Sequence, residues 1–155
     1  MDIEKILGER KIRQLALSPL VTIESQTTVR NAILAMQQKQ VGCVLVTENQ
    51  QLVGIFTERD VLGKVMGEPV DDSREIKDFM TPSPLTLNPD SSVLEAIQLM
   101  DDHGYRNVPL VDAKGDLVGN LSASNVIDFL AESFPQEVLS LPPKANQHFS
   151  SVDGA

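Results

Sequence analysis

The chain has 155 residues, 41% hydrophobic and 23% charged, the balance of a soluble globular protein with room for one ordinary domain or two small ones sharing a core. With 22 acidic against 13 basic residues the net charge is −9, which argues against a nucleic-acid groove and against docking on an anionic membrane surface, both of which need a basic face. No apolar run approaches the ~20 residues of a membrane span, and the acidic start Met1-Asp2-Ile3-Glu4-Lys5 lacks the apolar core of a signal peptide, so a cytoplasmic protein is expected.

Residues 1 to about 16 are expected to be helical, with Ile3, Ile6 and Leu7 on one face. Ser18-Pro19-Leu20-Val21-Thr22-Ile23 then reads as extended, ending in a short strand. Val29, Ala32, Ile33 and Met36 form the i, i+3, i+4, i+7 stripe of a half-buried helix. Gly42 precedes a strand through Val46. It contains the single cysteine, Cys43, which excludes an internal disulfide and sits in an apolar run as a small buried hydrophobe rather than a nucleophile.

A polar turn leads to the strand Leu52-Val53-Gly54-Ile55-Phe56, which runs abruptly into Thr57-Glu58-Arg59-Asp60. Thr57 is a natural N-cap and Asp60 lies three residues on, in the first helical turn. A hydroxyl and a carboxylate are thereby held beside exposed backbone N–H groups, which suits a ligand carrying both hydroxyls and negative charge, such as a ribose phosphate. The same Thr-x-x-Asp spacing is also a plain capping pair that stabilises the helix and binds nothing. The helix continues through Val61, Leu62, Val65 and Met66.

Residues 67–79 form a polar linker, after which the pattern restarts. Val29, Ala32, Ile33 and Met36 recur as Val93, Ala96, Ile97 and Met100, and Thr22-Ile23 as Thr86-Leu87, each displaced by 64 positions. After a one-residue insertion in the turn Ala113-Lys114-Gly115-Asp116, Leu52-Val53-Gly54 recurs as Leu117-Val118-Gly119, displaced by 65. Ser92 and Glu95 have capping-box spacing for the repeated helix. The chain is therefore an internal duplication. Each copy has too little core to stand comfortably alone, so the two are expected to pack about a pseudo-two-fold axis that leaves two related clefts. The tail from residue 134 onward reads as an extended arm with a few apolar anchors. No constellation of nucleophile, base and oxyanion donor is recognisable, and His103 has no evident partner. The acidic pairs Asp71-Asp72 and Asp101-Asp102 read as solvated surface, so neither catalysis nor metal binding is expected.

Three stretches carry a family resemblance: Gly54-Ile55-Phe56-Thr57-Glu58-Arg59-Asp60, Met80-Thr81-Pro82, and Tyr105-Arg106-Asn107-Val108-Pro109-Leu110-Val111-Asp112. With the repeat, they resemble a tandem pair of cystathionine-β-synthase (CBS) domains, a Bateman module. The copies span residues 18–66 and 80–133, flanked by an N-terminal helix and lead-in (1–17), the linker (67–79) and the tail (134–155). The resemblance implies an α/β (α+β) fold of two β-α-β-β-α units, a homodimer, and regulatory binding of an adenosine-containing small molecule, namely AMP, ADP, ATP or S-adenosylmethionine. No other cofactor is implied.

Carried over residue by residue, Thr57 and Asp60 take the ribose, with Arg59 beside them, and Val21, Thr22, Cys43 and Val44 surround the base. Thr81 opens the second copy. Tyr105, Arg106 and Val108 lie where the second copy would meet base and phosphate. Arg106 reads equally as a surface arginine beside Asp101 and Asp102, and Tyr105 as packing. In the second copy Ser122 keeps the hydroxyl, but Asn125 replaces the carboxylate, a departure that weakens ribose recognition there. The expected role is a stand-alone sensor acting in trans on an unidentified protein partner. The alternative is a structural dimerisation scaffold with degenerate clefts.

Overall fold

A computed structural model describes residues 2–66, 71 and 73–135; linker residues 67–70 and 72 and the tail from 136 onward lie outside the described residues. The elements run α1 (Ile3–Glu9), β1 (Thr22–Glu24), α2 (Val29–Lys39), β2 (Cys43–Glu48), β3 (Gln51–Thr57), α3 (Glu58–Asp60), β4 (Thr81–Pro82), α4 (Val93–His103), β5 (Asn107–Val111), β6 (Leu117–Ser122) and α5 (Ala123–Ser133). This is the duplicated mixed α/β fold expected from the repeat. One sheet has the order β1-β2-β3-β4, with β1 parallel to β2 and the β2–β3 and β3–β4 pairs antiparallel. The second copy contributes the hairpin β5–β6, to which Leu87 adds a parallel bridge at Leu110.

Strand alternation sorts the apolar residues into layers. Val44, Val46 and Phe56 face the helix side, where they join Val29, Ala32 and Met36. Cys43, Leu45 and Ile55 face the other way and pack with Leu52 of the first repeat and Leu117 of the second. The Met80 side chain packs directly on Gly54: a Cβ there would lie 2.3 Å from the Met80 sulfur and force that side chain to move. The helices start on short polar caps, Thr28 for α2 and Ser92 for α4, and both end in left-handed backbone, at Gln40 and Gly104, 64 positions apart.

Two expectations about the flanking segments change. The helix expected over residues 1–16 ends at Glu9; Arg10 and Lys11 are extended, and a single 3-10 turn follows at Ile12–Gln14. The reason is pairing with the second repeat, where the Ile12 N–H donates to the Ser91 carbonyl (3.0 Å) and the Val93 N–H to the Arg10 carbonyl (2.8 Å). Ile12 and Leu15 are buried in the second repeat's core beside Val93, Ala96, Leu121 and Val126.

The end of the linker does the reciprocal thing. The Ile76 N–H donates to the Thr27 carbonyl (2.7 Å) and the Val29 N–H to the Arg74 carbonyl (2.9 Å). Ile76 and Phe79 are buried in the first repeat's core. Each repeat is thus completed by the segment that precedes the other. At the C-terminal end, the tail's first anchor is Phe134, buried in the second core with its ring edge-on to Phe129.

Candidate functional site

Strand direction decides which of the expected residues meet. β1, β2 and β4 start, and β3 ends, at one margin of the four-stranded sheet, because Cys43 pairs with Thr57 and Thr81 with Ile55. That margin gathers Val21, Thr22, Cys43, Thr57, Arg59, Asp60 and Thr81. Thr22, Arg59 and Thr81 are exposed and Val21 half-buried. Val44 is completely buried on the helix side of β2, so only its backbone can face a ligand; Val108, its counterpart in β5, is placed in the same way.

Thr57 and Asp60 form a reciprocal cap. Oδ2 of Asp60 accepts from the Thr57 N–H at 2.9 Å and from the Thr57 hydroxyl at 3.2 Å, while the Asp60 N–H donates to Thr57 Oγ1 at 3.4 Å. The plain capping geometry is therefore formed. It leaves the other carboxylate oxygen, Oδ1, which meets the Lys64 ammonium at 3.0 Å. Beyond Asp60 the helix continues as a π-helical turn over Val61–Val65, a rare form that recurs at functional sites. α5 makes no such change and stays α-helical for 11 residues.

The second copy repeats the cap with Ser122 and Asn125, and the asparagine amide is further engaged. Its Oδ1 accepts the Ser122 N–H (2.9 Å) and the Ser18 N–H (3.4 Å), and its Nδ2 donates to the Ser18 hydroxyl at 2.9 Å. Tyr105 is exposed and stacks on His103, ring centroids 5.1 Å apart. Arg106 is also exposed, and its carbonyl accepts the Ala123 N–H at 2.8 Å, tying β5 to the start of α5.

Between the repeats lies a polar cluster that the sequence reading missed. The buried Asn120 amide donates to the Cys43 sulfur (3.4 Å) and to Asn107 Oδ1 (3.2 Å), leaving its own Oδ1 without a partner among the described residues. Burial pushes the Cys43 thiol up to about 12, Asn120 opposing the shift and Glu58 adding to it. The thiol is protonated at neutral pH and is no nucleophile. Lys64 and Ser18 were also missed. An i, i+4 pairing with Asp60 could have pointed to Lys64, whereas the long-range contact of Ser18 has no local signal. Among the described residues there is no cluster of His, Cys, Asp and Glu able to hold a metal ion and no helix long and apolar enough to cross a membrane.

The family model for the CBS domain matches the chain twice, over residues 12–67 and 76–132. The chain belongs to the CBS domain family. The start of both matches at the exchanged segments, Ile12 and Ile76, agrees with the packing. Among curated CBS relatives, it is 34% identical over 120 residues to the mitochondrial CBS domain-containing protein CBSX3 of Arabidopsis thaliana, covering 74% of this chain and 58% of that protein. It is 33% identical over 122 residues to CBSCBSPB3 of the same plant, covering 77% of this chain but only 22% of the relative.

Of solved CBS structures, CBSX2 of Arabidopsis thaliana in complex with AMP superposes with a TM-score of 0.69 at 25% identity, over 80% of this chain and 98% of that one. A CBS domain protein from Pyrobaculum aerophilum complexed with AMP gives 0.70 at 24% identity, over 79% and 98%. The second comparison speaks to the fold alone.

Proposed function

We propose that this CBS pair is a regulatory module that binds an adenosine-containing ligand at the Thr57–Asp60 margin and reports occupancy to a protein partner in trans. The observation that carries the reading is the buried Asp60 carboxylate at a sheet margin, capped by Thr57 and with one oxygen outside the cap. The AMP complex of the related CBSX2 supports the ligand class. S-adenosylmethionine offers the same ribose and remains in that class. Mass spectrometry of small molecules released from the purified protein, followed by thermal melting with AMP, ADP, ATP and S-adenosylmethionine, tests it. At a hundred times its dissociation constant a ligand adds ~2.7 kcal/mol to the folded state, a rise in melting temperature of roughly 5–10 °C. No released nucleotide and no shift at millimolar ligand would remove this reading.

The module is proposed to work as a homodimer through its helix layer. Leu62, Met66 and Ile127 are 67%, 71% and 62% exposed, in or at the end of the helical segments that follow the two caps. Beside Leu62 a cavity of about 490 Å³ is lined by Ile33, Met36, Val41, Val61 and Glu58. A second copy would cover such a surface. Light scattering on the eluting peak should return twice the chain mass at micromolar concentration. A scaffold with degenerate clefts is the second reading, and it draws on Asn125, whose amide is tied to Ser18.

A further inference from the structure

Lys64 is a charged group of the first repeat that touches the capping pair without belonging to it. Its ammonium lies 3.0 Å from Asp60 Oδ1 and donates to the Phe79 carbonyl at 3.0 Å, bridging the start of the helix to the segment that leads into β4. An i, i+4 pair on an exposed helix contributes little and is common. This pair differs in two respects. The Asp60 side chain is 9% exposed against 44% for Lys64, so a buried carboxylate is neutralised by a cation that still reaches solvent. Moreover, the second repeat lacks both charges together: 65 positions on, Asp60 becomes Asn125 and Lys64 becomes Phe129. Phe129 packs in the second core, beneath the Arg10 guanidinium. The second helix thus carries neither the buried carboxylate nor a lysine of its own at the paired position.

Ribose hydroxyls approaching Asp60 meet a carboxylate with one oxygen already filled by the Thr57 N–H and hydroxyl. They must therefore use Oδ1, the oxygen that Lys64 holds. We propose that Lys64 is a specificity-determining residue of this site, exchanging Asp60 for the ligand's phosphate when the ribose hydroxyls take Oδ1, so that the site selects a nucleotide over the bare nucleoside. The inference rests on the adenosine-ligand reading above. The flexible four-carbon stem and partial exposure allow the swing. The exchange also leaves no charge stranded, since the ammonium gains an anion as the carboxylate gains hydroxyl donors.

Calorimetry with AMP and with adenosine, on the wild type, Lys64→Met and Lys64→Gln, tests this. Glutamine keeps donors for Asp60 and Phe79 without the charge, and so serves if methionine leaves the carboxylate stranded and the chain unfolded. The expected result is that AMP binding weakens about tenfold, the difference between a charge-assisted and a neutral contact. Adenosine binding stays level or tightens, because its competitor for Oδ1 is gone. Equal weakening for both ligands would make Lys64 a support for Asp60 only and overturn the inference, as would an AMP-to-adenosine ratio that neither substitution moves. A wild-type protein that takes up neither ligand overturns the adenosine reading itself, and the inference falls with it.

Discussion

Cys43 shows how one residue's surroundings decide its chemistry. Its thiol lies in the layer between the repeats with Leu45, Ile55 and Leu117, and the Asn120 amide donates to it. Burial disfavours the thiolate, raising the pKa from 9.0 to about 12. The sign of the pH effect follows. Below pH 9 the thiol is protonated in both folded and unfolded chains, and its contribution to stability is level. Between pH 9 and 12 the unfolded chain loses the proton and the folded chain keeps it, so stability falls by up to about 1.4 kcal/mol per pH unit. Denaturant titrations at pH 7.5 and at roughly pH 10.5 should therefore show a larger loss for wild type than for Cys43→Ala. Parallel losses in the two proteins would mean that the thiolate is solvated in the folded state. The buried character of Cys43 was legible in its run of strand-forming apolar neighbours. Its partner Asn120 was not, because Asn120 interrupts an apolar strand and nothing local shows that it faces a second sheet.

Among the elements, the exchanged segments bind the two repeats most directly. Ile12 and Ile76 are both fully buried, neither of them in the repeat that immediately follows it in the chain. Truncating either to alanine removes the same buried methylenes from an equivalent site, at a cost of about 2–5 kcal/mol. The location of the damage is the sharper expectation. Ile12→Ala should loosen α4 and β5–β6 in hydrogen exchange and spare β2–β3, whereas Ile76→Ala should do the reverse. Loss of protection confined to the repeat next in sequence would contradict the exchange. The sequence carried the 64-residue displacement from Ile12 to Ile76 and from Leu15 to Phe79, and the duplication, the strand order within each hairpin and the helix caps were all readable from such offsets. Which repeat receives each segment was not, because an isoleucine has the same periodicity whichever core it enters. The early end of α1 follows from that same long-range pairing, and helix propensity alone does not foretell it.

The two halves share a backbone but are unequal as candidate binding sites. In the first, Asp60 has Oδ1 outside the cap, held by a solvent-reaching lysine. In the second, both acceptor positions of the Asn125 oxygen are taken by the Ser122 and Ser18 N–H groups, and one of its two amide N–H donors goes to the Ser18 hydroxyl. Ribose hydroxyls there can donate to Asn125 only by displacing Ser18, which lies in the stretch joining the exchanged N-terminal segment to β1, so such binding works against the packing that unites the repeats. Calorimetry should accordingly return one tight adenine-nucleotide site per chain. Asp60→Asn should weaken it three- to thirty-fold, since a hydrogen bond to a charged group contributes about 1.5–3 kcal/mol against roughly 1 for a neutral one. Asn125→Asp alone should not open the second site, because a carboxylate would hold the Ser18 N–H and hydroxyl more firmly than the amide does. Only with Ser18→Ala added should a second equivalent appear, and two equal sites in the wild type would show that the Ser18 tie yields to ligand.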